Sequence, residues 1–265
     1  LILASFFYYI FKFKHNLPKI NKENFLLVSI IFLLTLIISI NIAYFSRLEW
    51  NAQTIWIDKT ILIAYDNTIS SFKSSPASEL PFLFPIIWSF FWKLININYE
   101  YLGRLFVIFI YLFSIYSVIS LLKINFTKKI VFFLITLLLT LKLEGFQGEL
   151  SVLTLSFIFI AVRYIYLLNN KDNNKFLLIL TFFLAINLLI YTSNEGLFYS
   201  LILIGSIFFI KDLNQKTKSL MLILFVSLVI LRMLFYFFYD FSFALNSDDY
   251  AFNHIIYNLS FSNIL

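Results

Sequence analysis

The chain has 265 residues, of which 61% are hydrophobic and 13% charged, with a mean hydropathy of +0.90 and a net charge of +6. A water-soluble domain carries charge on about a quarter of its residues, so this composition excludes an ordinary soluble enzyme or binding module. The positive balance does not indicate nucleic acid as a partner, because the lysines fall in short loops between apolar runs, where basic residues set membrane orientation.

In chain order, Leu1–Phe11 reads as the tail of a helix. It is not a signal peptide, since no basic region precedes it. The chain starts at Leu1 rather than Met and gives no clear stop, so we expect a fragment that lacks its N-terminus and continues beyond the tail from Asp240. Further apolar runs follow at about 25–46, 82–97, 104–122, 129–143, 150–168, 176–192, 197–210 and 219–238. A membrane-spanning helix needs roughly 20 mostly apolar residues, and in lipid only helices or closed barrels satisfy the backbone. Phe25–Ile42 is apolar all round rather than alternating, which selects helices. The expected fold is an all-α, polytopic transmembrane helical bundle, with residues 1–265 forming a single membrane domain.

Loops 12–22, 123–129, 171–175 and 211–218 are rich in lysine, which places them in the cytoplasm. Loop 47–81, Glu144–Glu149, Ser193–Gly196 and the tail after Tyr239 then fall outside. One conflict follows. If both 25–46 and 82–97 cross, then 104–122 delivers Lys123, Lys128 and Lys129 to the outer side. Either 82–97 is re-entrant or the charge rule fails for the later loops. We favour cytoplasmic later loops.

The longest polar stretch, 47–81, opens with Glu49–Ala64, which contains no Gly or Pro. On a helical wheel Trp50, Thr54, Ile57 and Ile61 share a face, Asn51 and Asp58 lie opposite, and Glu49, Trp56 and Thr60 flank the stripe. This describes an amphipathic helix lying in the membrane interface within an early extracytoplasmic loop. Ser70–Pro81 reads as irregular.

Acidic residues gather on the expected outer side: Glu49, Asp58 and Asp66, then Glu144 and Glu149, then Glu195. Carboxylates at the membrane face are hydrated, paired or functional, and a shared side makes a shared site the sharper reading over scattered loop charges. There is no thiolate metal site, because the chain has no cysteine. Two histidines, His15 and His254, do not make a zinc site alone. Arg232 lies within the last apolar run, and an intramembrane arginine is a functional candidate by default.

Glu49-Trp50-Asn51-Ala52, Trp56 and Lys59 follow an outward-going helix, and this resembles the Trp-Asp-Ala…Trp…Lys pattern of bacterial C-type glycosyltransferases. These are the polytopic relatives of protein mannosyltransferases and aminoarabinose transferases. Leu80-Pro81-Phe82-Leu83-Phe84-Pro85 is similar to their Tyr-Pro-Leu-Leu-x-Pro, and Gly103-Arg104-Leu105 to the Gly/Arg-Leu that follows it. Glu149 stands where the family often has Asp, and Thr192-Ser193-Asn194-Glu195-Gly196 resembles a Thr-Lys-x-Glu-Gly turn. The resemblance covers about 47–196. Two positions depart from it: Asn51 replaces the catalytic Asp, and Ser193 replaces the Lys.

The resemblance implies transfer of a sugar from a polyprenyl-phosphate donor to a glycan, lipid or protein acceptor on the outer face of a bacterial inner membrane. A divalent cation is a possible cofactor. An attacking hydroxyl needs a carboxylate base, and a lipid-phosphate leaving group needs a cation. By this reading Glu49 is the base, displaced two positions from the family's Asp, with Asp58 and Asp66 as the other catalytic candidates. Trp50, Asn51, Trp56, Lys59, Glu149 and Glu195 are the substrate-binding candidates. Lys59 would pair with phosphate or else snorkel as an anchor. The tryptophans would stack on sugar or isoprenoid, or else form part of an aromatic belt. Other readings remain open: an O-antigen polymerase or ligase type of enzyme, a lipid or sugar transporter, or a membrane protein without chemistry.

Overall fold

The computed structural model describes residues 22–44, 47–50, 52–65, 82–96, 100–140, 148, 150–169, 175–211 and 213–238. Among these the regular structure is entirely helical. Helix α1 is Lys22–Tyr44, a π-helical turn spans Ala52–Trp56, and α2 continues it over Ile57–Tyr65. Helices α3 (Leu83–Ile95), α4 (Tyr101–Ile119), α5 (Phe126–Thr140) and α6 (Leu150–Leu168) follow. The last three are α7 (Lys175–Ile190), α8 (Asn194–Ile207) and α9 (Gln215–Phe238).

Among the described residues four helices are long and apolar enough to cross a membrane: Phe25–Tyr44 in α1, α4, α6 and α9. Their outward faces are apolar too: Phe32, Leu33, Leu36, Ile37 and Ile40 on α1 are all exposed. A surface of this kind is not stable in water. It is the surface of a membrane protein.

Lipid is as apolar as leucine, so helices in it associate through close packing and small residues rather than through the hydrophobic effect. Ser114 and Ser117 on α4, Ser156 and Ala161 on α6 and Ala185 on α7 are all buried. The serine hydroxyls leave no donor stranded. Ser114, Ser117 and Ser156 donate to the carbonyls of Tyr111, Ser114 and Val152, each at 2.7 Å. α4 packs on α6 and α6 on α7, which makes these three the centre of the bundle.

Pairs of helix ends fix the two ends of the molecule. The Tyr101 hydroxyl at the start of α4 donates to the Ser39 carbonyl, 3.1 Å away near the end of α1. Gly148, two residues before α6, lies against Leu48 and Ala52, just after α1. At the opposite end Arg163, late in α6, donates to the Ser117 carbonyl and to the Ser120 hydroxyl at the end of α4. There too Lys218 near the start of α9 donates to the Phe208 carbonyl just after α8, at 2.8 Å. α4 and α6 therefore run parallel, and the lysine-bearing connections at Lys123, Lys175 and Lys211 share one end.

α3 does not thread this bundle. Its thirteen residues span about 20 Å, short of the roughly 30 Å of a bilayer core. Its contacts all lie at the end opposite the lysines. The Leu83 amide donates to the Tyr191 carbonyl in the α7–α8 turn at 3.3 Å. Trp88 in mid-helix packs on Gly103 in the first turn of α4 and on Gly148 before α6. The helix stops at Asn96, whose left-handed φ of 57° is a conformation asparagine tolerates, and α4 starts five residues later. With the π-helical turn and α2, which packs on it, α3 forms a cap across one end of the bundle. Packing of α3 at one end is compatible with the re-entrant alternative for 82–97.

Candidate functional site

The described members of the expected set, Glu49, Trp50, Trp56, Asp58, Lys59 and Glu195, fall at the cap end. Glu49 is half-buried just before the π-helical turn, and its carbonyl accepts from the Gln53 amide at 2.9 Å. Trp50 is 74% exposed, whereas Trp56 is buried and sets its ring edge-on to Phe84 of α3 at 6.3 Å. Asp58 is exposed on α2. Asn51, Asp66, Glu144 and Glu149 lie outside the described residues, as do His15, His254, Pro81 and the tail.

The side of this segment that meets the bundle is Ala52, Trp56, Lys59 and Thr60, all buried. Trp50 and Ile61 of the expected apolar stripe point outward, and Thr54 and Ile57 are half-buried. Lys59 is only 1% exposed, with its ammonium 5.9 Å from the centre of the Trp56 ring. An ammonium is taken inside only where other groups replace its water, so Lys59 faces the interior of the cap rather than the headgroup layer. Arg104, in the first turn of α4, is also buried and pairs with Glu100 at 3.6 Å.

The α7–α8 turn is the second component. Ser193 caps α8, its Oγ accepting from the Gly196 amide at 3.0 Å. Glu195 follows in the first helical turn, where a carboxylate suits the positive end of the helix dipole. Gly196 is required by close approach, because a Cβ there would strike the Leu189 carbonyl oxygen. Arg232 on α9 holds the turn. Its guanidinium donates to the Ile190 carbonyl and to Asn194 Oδ1, both at 2.7 Å, and lies over the Tyr236 ring at 5.3 Å. Burial pushes the Tyr191 phenol above its ordinary value, with the Arg232 charge partly opposing this, so the hydroxyl is neutral at physiological pH.

A cleft of about 400 Å³ opens beside this turn, between the first turns of α6 and α8. Ser151 and Thr154 line it from α6, and Ser193, Glu195 and Tyr199 from the other side. Leu155 and Ile158 form its apolar wall. Glu195 and Tyr199 are exposed, and among the described residues no hydrogen bond or ion pair holds the Glu195 carboxylate. Of the described expected residues only Glu195 lines the cleft; Glu49, Asp58 and Lys59 do not.

No protein-family model, curated protein or solved structure matches this chain. The site therefore has to be read from its own residues. Ser151, Thr154 and Tyr199 were not among the expected site residues. Their signal is spacing: Ser151 and Thr154 are i,i+3 at one helix start, and Glu195 and Tyr199 are i,i+4 at another, which places each pair on one helix face. Among the described residues no group of three or more His, Asp or Glu side chains converges to hold a metal ion.

Proposed function

We propose that the protein is a polytopic membrane glycosyltransferase that moves a sugar from a polyprenyl-phosphate donor to an acceptor at the outer face of a bacterial inner membrane. The observation that carries this reading is the cap. It lies at the end opposite the lysine-bearing connections, and the positive-inside rule makes that the extracytoplasmic end. A lipid-linked donor needs a site at the membrane surface that is open to the bilayer, and a re-entrant α3 beside an outward-facing Trp50 supports one there.

In this reading Glu49 takes the proton from the acceptor hydroxyl, with Asp58 and Asp66 as the other carboxylates of the segment. The acceptor oxygen attacks the anomeric carbon, the bond from that carbon to the phosphate oxygen breaks, and the lipid phosphate leaves with its negative charge. In this reading the donor phosphate enters the cap interior, where the Lys59 ammonium stabilises that charge. Trp50 is placed to touch isoprenoid or sugar, while Trp56 serves as packing against Phe84.

The test is reconstitution of the full chain in liposomes with radiolabelled polyprenyl-phosphate sugars. Transfer is expected with at least one donor, and Glu49→Gln is expected to reduce it by about a hundredfold or more, the usual worth of a general base. Wild-type transfer by Glu49→Gln would remove Glu49 from the mechanism. No transfer from any donor would remove the reading itself.

A further inference from the structure

We infer that the cleft between α6 and α8 is a binding site for the headgroup of a hydroxyl-rich ligand that is neutral or carries an amine, and that it rejects anionic headgroups. The inference deepens the glycosyltransferase reading, on which it rests for the ligand's role as acceptor. The binding chemistry follows from the lining alone.

A volume of about 400 Å³ falls in the range of small-molecule pockets and suits one or two sugar rings. Most of the lining surface is apolar, with a smaller set of polar atoms. Ser151, Thr154, Ser193 and Tyr199 bring hydroxyl oxygens, Glu195 brings a carboxylate, and Leu155 and Ile158 bring an apolar wall. A sugar ring has the complementary form, with hydroxyls around its rim and C–H groups on its faces. The Thr154 hydroxyl is already committed to the Leu150 carbonyl at 3.2 Å, and Ser193 Oγ to the Gly196 amide. Both oxygens keep lone pairs that can accept from a ligand hydroxyl. Glu195 only accepts when ionised, and no neighbouring group occupies its carboxylate among the described residues.

Charge decides the class. Among the described residues Glu195 is the one carboxylate of the lining, and no Lys, Arg or His joins it. The buried cations of this end do not line the cleft: Arg232 donates to Ile190 and Asn194, Arg104 pairs with Glu100, and Lys59 lies by the Trp56 ring. A carboxylate or phosphate on the ligand would meet an uncompensated negative charge, whereas a hydroxyl or ammonium would meet an acceptor. The plain alternative is that Glu195 only complements the α8 dipole. That role would change stability and leave ligand preference untouched.

The test uses the full chain in nanodiscs and three probes that differ in one group: the n-butyl glycosides of glucose, glucosamine and glucuronic acid. Ligand-observed NMR titration without any donor measures binding alone. Glucose and glucosamine glycosides are expected to bind saturably, and the glucuronide at least about tenfold more weakly. Glu195→Gln is expected to remove that difference and Glu195→Lys to reverse it, while Tyr199→Ala weakens all three probes alike. Equal binding of the glucuronide, no saturable binding of any probe, or a preference that survives Glu195→Lys would overturn the inference. Charge-selective binding by a chain that transfers no sugar would uphold the site and defeat the glycosyltransferase reading. Transfer with no charge selectivity would do the reverse.

Discussion

The Tyr101 hydroxyl donates to the backbone carbonyl of Ser39 at 3.1 Å, across 62 positions of sequence. The bond ties the first residue of α4 to the last third of α1, so the chain leaves α1 and enters α4 at the same end of the molecule. The described segments between them, the π-helical turn, α2 and α3, belong to that end. The chain contains no cysteine, so single cysteines can report sidedness without background. Asp58→Cys, Asn96→Cys and Glu195→Cys are expected to react with a membrane-impermeant maleimide from one side. Lys123→Cys and Lys211→Cys are expected to react only from the other. Labelling of Asn96→Cys together with the lysine positions would mean that α3 crosses.

The helices themselves were legible because apolar runs of this length admit little else in lipid. Several of their starts were read three residues late. Tyr101–Gly103, Phe126–Lys128 and Asn194–Gly196 open α4, α5 and α8, and first turns carry polar or small residues that hydropathy counts as loop. Segment 82–97 was ambiguous in sequence because hydropathy does not say whether an apolar helix crosses or turns back. The contacts that bear on it, with Gly103, Gly148 and Tyr191, are non-local. The buried side of Ala52–Tyr65 was missed for a different reason. Ala52, Trp56, Lys59 and Thr60 do share one face of a wheel drawn at a constant step, but hydropathy picks out the more hydrophobic stripe on the opposite face. Burial of Lys59 and Thr60 runs against any hydropathy pattern.

Gly103 and Trp88 form a tight fit. Trp88 is fully buried, and a Cβ at position 103 would strike its indole ring. Gly103→Ala is expected to lower stability by about 1–3 kcal/mol through overpacking. Trp88→Phe should cost a similar amount through the space it leaves. Because each change relieves the other, the double variant should lose clearly less than the sum. Thermal unfolding of all four proteins in one detergent completes the cycle. Strict additivity would show that the two residues do not share this contact.

Arg163 joins α6 to α4 at the lysine-bearing end, through the Ser117 carbonyl and the Ser120 hydroxyl. Hydrogen bonds from a charged donor contribute about 1.5–3 kcal/mol, and partial exposure of Arg163 puts the loss in Arg163→Gln towards the lower figure. The cap lies at the far end of both helices. Sugar transfer per folded molecule is therefore expected to stay at the wild-type level even as the midpoint of thermal unfolding falls. A loss of transfer with unchanged stability would tie the two ends together in a way the packing does not suggest.

Arg232 makes the opposite prediction. It is buried at 7% exposure and holds the turn that carries Ser193, Asn194 and Glu195. Arg232→Gln strands the Ile190 carbonyl or Asn194 in an apolar setting, a loss of about 2–3 kcal/mol. Arg232→Lys keeps the charge but cannot span both acceptors with one planar fork, so it should recover only part of the stability. The readout that separates positioning from simple destabilisation is the cleft. If Arg232 fixes the turn, Arg232→Lys measured well below its unfolding temperature should still weaken binding of butyl glucoside beside Glu195, while Arg163→Gln of similar stability binds it normally. Equal binding by the two variants would leave Arg232 as a stabilising residue only.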